Sequence, residues 1–74
     1  MEFFKWIDRF GGPSEVARQL NVTPHAVRAW MRKEYTPNYK IMKRIVELSN
    51  RKVGFEEILR ETNENKAGRN AKRR

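Results

Sequence analysis

Residues 21–32 read NVTPHAVRAWMR, and His25, Arg28 and Arg32 recur there at intervals of three and four. On a helix that spacing sets all three on one side. A guanidinium offers its donors in a planar fork that matches paired acceptors, and an imidazole can donate or accept. Such groups suit recognition of a polar, anionic surface. They do not suit catalysis: the chain has one histidine and no cysteine, so no histidine cluster, thiolate metal site or Cys–His pair can be assembled. Glu15, Glu56 and Glu57 stand at no spacing that joins a nucleophile, a base and an orienting group. No enzyme activity, metal, cofactor or small-molecule ligand is expected.

The charge map supports recognition of a polyanion. Net charge is +8, and it is unevenly placed. In residues 1–20, Lys5, Arg9 and Arg18 cancel Glu2, Asp8 and Glu15; in 45–60, Arg51, Lys52 and Arg60 cancel Glu47, Glu56 and Glu57. Residues 21–44 hold Arg28, Arg32, Lys33, Lys40, Lys43 and Arg44 against Glu34 alone, and the rest of the surplus lies in 61–74. A run of cations is often only a solvated face. A surplus confined to one central segment and one tail points instead to an anionic polymer.

Helices must carry these groups. Phe3, Ile7 and Phe10, with Phe4 and Trp6 beside them, predict a first helix over 2–10 that stops at Gly11-Gly12. Val16, Ala17 and Leu20 predict a second over 13–20, with Pro13 harmless in its first turn. Thr23 can cap a third over 24–33, in which Pro24 takes the first position and Val27, Trp30 and Met31 turn inward. Pro37 disfavours helix at Thr36, Asn38 is placed to cap, and Ile41, Ile45 and Leu48 mark a fourth helix over 38–49. Phe55, Ile58 and Leu59 suggest a short fifth. No stretch alternates with period two, so no strand is expected.

The expectation is therefore an all-α fold, a small compact bundle of four to five helices over 1–60. Its core is modest, since a chain of 74 residues hides only roughly 60% of its unfolded surface. Trp30 and Phe10 read as packing residues, while Phe3, Phe4 and Trp6 exceed what so small a core must hold. A leftover apolar patch there, or at Phe55 and Leu59, would serve as a dimer interface. Residues 61–74 lack large apolar side chains and read as a disordered basic tail, either a solvated end or an arm adding nonspecific affinity for the anionic polymer. Charges interrupt MEFFKWIDRF, so neither a signal-peptide core nor a membrane span fits, and a cytoplasmic location is expected.

The stretch PSEVARQLNVTPHAVRAWMR resembles the helix-turn-helix unit of phage repressor and Cro-like DNA-binding proteins. Ala17 falls at the small position where the two helices touch, Asn21 at the turn, and Val27 and Trp30 at the apolar positions of the recognition helix. The downstream TPNYKIMKRIVELSNRKVGFEEIL narrows the likeness to short Cro-like and YdaS-like members, and the resemblance spans about residues 10–60. The departure is Asn21, where the family usually has Gly; Asn enters the left-handed region more readily than most residues.

The resemblance implies a lambda-repressor-like bundle that reads the major groove of double-stranded DNA with helix 24–33. It makes Pro24, His25, Arg28, Ala29 and Arg32 the base-contacting set, with Arg28 the strongest reader because a guanidinium pairs bidentately with guanine. It makes Ser14, Thr23, Lys33, Thr36, Asn38, Tyr39, Lys40 and Lys43 the backbone-contacting set. Contact is favoured for Lys40 and Thr36; Ser14 and Thr23 either grip phosphate or only cap, Tyr39 grips or packs, and Lys43 grips or solvates its face.

The implied protein is a phage- or prophage-type repressor of transcription in a bacterial or phage-infected cell. It binds a two-fold-symmetric operator as a weak or DNA-induced homodimer, with half-sites about one helical turn apart. The alternative is an antitoxin or adaptor of the same fold whose main partner is another protein. RNA binding fits the charge but not the tight turn and capped helix.

Overall fold

A computed structural model describes residues 1–62, and every element among them is helical. The helices are α1 (Phe3–Phe10), α2 (Pro13–Leu20), α3 (Pro24–Met31), α4 (Tyr39–Leu48) and α5 (55–62). Helix α2 is central and packs on α1, α3 and α4. One core unites Phe3, Trp6 and Ile7 of α1, Val16, Ala17 and Leu20 of α2, Val27 and Trp30 of α3, Met42 and Ile45 of α4, and Val53 and Ile58.

The N-terminal aromatic residues fit this core better than the sequence suggested. Phe3 is fully buried, Trp6 is 6% exposed, and Phe4 and Phe10 are half-buried. The Phe3 ring lies 6.3 Å from Trp6 and 6.2 Å from Trp30, and Trp6 lies 5.1 Å from Phe10. Each pair contributes about 0.5–1.5 kcal/mol beyond its buried area.

Four turns between helices share one device. At Gly11, Asn21, Lys33 and Asn50 the backbone swings to positive φ within two residues of a helix end, and the next N–H returns to a carbonyl in the last turn. For α2 the bond runs from the Val22 N–H to the Ala17 carbonyl at 3.0 Å, with Asn21 at φ 60 and ψ 43. For α3 it runs from Glu34 to Ala29 at 3.0 Å around Lys33 at φ 64. This left-handed residue ends α3 two positions before the expected boundary at 33.

Two further boundaries move. Helix α1 has no cap from its own Glu2; the Glu61 carboxylate accepts from the N–H groups of Phe3 at 2.8 Å and Phe4 at 2.9 Å. Thr62 is fully buried, and its hydroxyl donates to the Ile58 carbonyl at 2.7 Å. Glu61 and Thr62 therefore belong to the folded unit and not to the tail assigned from 61 onward. Residues 63–74, the rest of that tail, lie outside the described residues. No helix among the described residues is long and apolar enough to cross a membrane.

Candidate nucleic-acid interface

The turn and the cap that present α3 are both local. Asn21 takes the left-handed conformation, and the Thr23 hydroxyl accepts from the Ala26 N–H at 3.1 Å while Pro24 opens the helix. Asn38 does the same for α4, accepting from Ile41 N–H at 2.9 Å. Both side-chain oxygens satisfy a first-turn donor that would otherwise face water.

Along α3, Pro24, His25, Arg28 and Arg32 are exposed, as expected. Ala29 is not: it is 2% exposed and cannot meet a base edge. Met31, expected inside, is only half-buried, and Ala26 is half-buried too. The inward face is rotated from Met31 toward the two alanines. The Lys33-Glu34 turn comes back onto this side, its Glu34 N–H donating to the Ala29 carbonyl at 3.0 Å. That leaves a narrower outward strip of Pro24, His25, Arg28 and Arg32.

Within the strip the two arginines differ. Arg32 forks onto Glu34, Nε to Oε2 at 2.9 Å and Nη2 to Oε1 at 3.3 Å. That hydrogen bond, and then the Arg32 and His25 charges, hold the Glu34 carboxyl below its ordinary range. Arg28 has no ion pair with any described residue, so its guanidinium edge is open to an acceptor pair. The arrangement offers one free fork beside one that a ligand must take from Glu34. The Glu34 partnership was visible in the sequence only as an acid two residues after Arg32.

The flanking residues divide as well. Ser14, Tyr39, Lys40 and Lys43 are exposed. Ser14 sits in the first turn of α2, which begins without a side-chain cap and carries Glu15 next to it, bound to Arg18 at 2.6 Å. Lys33 is half-buried, with its ammonium 6.0 Å from the centre of the Phe4 ring. Thr36 is half-buried and its hydroxyl lies 3.0 Å from that of Thr62, so the fold already engages it. Tyr39 both packs and stays exposed: it is 65% accessible while its ring stacks on Phe55 at 5.5 Å. Phe55 was expected in the fifth helix and as part of an apolar patch, but its pairing with Tyr39, sixteen positions earlier, has no pattern in the sequence to announce it.

No group of three or more metal-ligating side chains forms among the described residues. Compared with family models, curated proteins and solved structures, the chain matches none.

Proposed function

We propose that this chain is a sequence-specific double-stranded DNA-binding regulator, a Cro-like phage or prophage repressor that blocks transcription by occupying an operator. The observation that carries the reading is Arg28: a guanidinium without an ion pair to any described residue, on the exposed side of a short capped helix, directly after a left-handed turn, inside a central segment with six cations and one acid. In this reading α3 lies in the major groove, Arg28 reads a guanine, and His25, Pro24 and Arg32 flank it. Lys40, Lys43, Tyr39 and Ser14 hold phosphates, with Thr23 and Asn38 presenting helix starts toward the backbone. Exposed Phe55 and Leu59, at 36% and 39%, supply the homodimer contact.

The test is selection from a random duplex pool at near-physiological salt, because charge alone retains any sequence. Enrichment of a two-fold-symmetric site supports a specific dimer. Retention without enrichment overturns specific readout and leaves only charge.

A further inference from the structure

An open groove of about 370 Å³ runs between the end of α1 and the turn after α4. Trp6, Phe10 and Leu48 form its apolar wall, and Arg9 and Lys52 stand at its rim. Two of the polar groups there are already engaged: the Ser49 hydroxyl donates to the Val46 carbonyl at 3.0 Å and accepts from the Val53 N–H at 3.2 Å, and the Met1 ammonium donates to the Lys52 carbonyl at 2.8 Å and lies 3.6 Å from the Glu57 carboxylate. The Arg9 and Lys52 side chains have no ion pair with any described residue, and no carboxylate lines the groove. What remains open is a mixed surface, half-buried Phe10 and Leu48 beside the nearly buried Trp6, edged by two cations without an ion pair to any described residue.

We infer that this groove binds a short acidic segment of another protein. One bulky apolar side chain of that segment seats against Trp6, Phe10 and Leu48, and flanking carboxylates meet Arg9 and Lys52. The wall gives a purely hydrophilic polyanion nothing to bury, and the rim gives a neutral apolar segment nothing to pair with. The chain's own residues 63–74 hold five basic side chains and one acid, so the rim repels them. A second copy is already assigned a different contact, through Phe55 and Leu59, neither of which lines this groove. The inference goes beyond the DNA-binding reading and does not rest on it, since no residue of the groove belongs to the proposed DNA face. A chain with both surfaces would join a DNA site to an acidic partner.

The probe is a fluorescently labelled peptide with a central Phe-Leu pair between Asp and Glu residues, titrated into the full chain without DNA and followed by anisotropy. Saturable binding is expected. It should weaken about tenfold in the Arg9→Glu/Lys52→Glu variant, as two exposed ion pairs are lost, and stay unchanged in Arg28→Glu. Thermal melting checks that each variant is folded, and Arg9→Gln/Lys52→Gln replaces the reversal if that variant melts early. Equal binding by a peptide with Ser in place of Phe-Leu overturns the proposal, because charge alone then suffices. Loss of binding in Arg28→Glu, or displacement of the peptide by duplex DNA, overturns it by placing the peptide on the other face. Absence of saturation also overturns it and leaves the DNA-binding reading untouched, as failure of the duplex selection leaves this groove untouched.

Discussion

At the C-terminal end of the described chain, two half-buried acids turn onto backbone donors. Glu61 accepts two backbone N–H groups of α1, and Glu57 accepts the Gly54 N–H at 2.7 Å and lies 3.6 Å from the Met1 ammonium. Between residues 21 and 44 the charged groups face outward, and Arg28, Lys40, Lys43 and Arg44 form no ion pair with any described residue. The same kinds of side chain thus hold the bundle in one region and stay available in the other. Carboxylates turned onto backbone donors keep their charge but form no ion pair with Arg28, Lys40, Lys43 or Arg44, which stay available to an external anion.

Separating those roles by mutation should separate stability from binding. Glu61→Ala should cost about 2 kcal/mol of stability, read by denaturant unfolding, because two helix-start donors lose a charged acceptor. A loss near zero would mean that water replaces the carboxylate and that the two regions differ less than described. Arg28→Ala should leave unfolding unchanged and weaken binding to a selected duplex by about 1–3 kcal/mol, with relaxed preference at one base pair. A uniform loss across sequences would make Arg28 a phosphate contact. Asn21→Ala should lower stability by about 1 kcal/mol, since Ala fits the left-handed turn poorly, while the folded fraction keeps its base preference. Unchanged melting would remove the turn's role.

Two smaller effects sharpen the contrast. The Gly54 N–H, and then the nearby N-terminal ammonium, hold the Glu57 carboxyl below its ordinary 4.5. A depressed folded-state value means that its contribution is complete above about pH 4.5 and is lost as pH falls through the lower value. Glu57→Gln should flatten that acid limb of a melting-temperature profile; an unchanged limb would assign it to other carboxylates. Glu34→Gln should release Arg32, raising duplex affinity roughly threefold and steepening the salt slope by roughly one. No change in slope would show that Arg32 makes no phosphate contact even when freed.

What could be read in the sequence was local. Thr23 and Asn38 cap helices whose first donors lie three residues on, Pro13 and Pro24 open theirs, and Asn21 enters the left-handed turn, all within one stretch of chain. What could not be read depended on distant partners or on packing. Lys33 gives no sign by type that it will end α3 in the left-handed region. Ala29 is buried because α3 is rotated against α2, which a periodicity of large apolar residues does not register. Thr36 meets Thr62 from 26 positions away, and Glu61 meets Phe3 from 58.

The Glu61 cap also sets an order of events during synthesis. Helix α1 is translated before the other described helices, yet its two leading N–H groups have no side-chain acceptor until a residue 58 positions later has been made. At ribosomal speed that is a delay of roughly 3 to 12 seconds. The first helix is thus closed last, and the chain acquires its full hydrogen bonding only once nearly all of the folded unit has been synthesised.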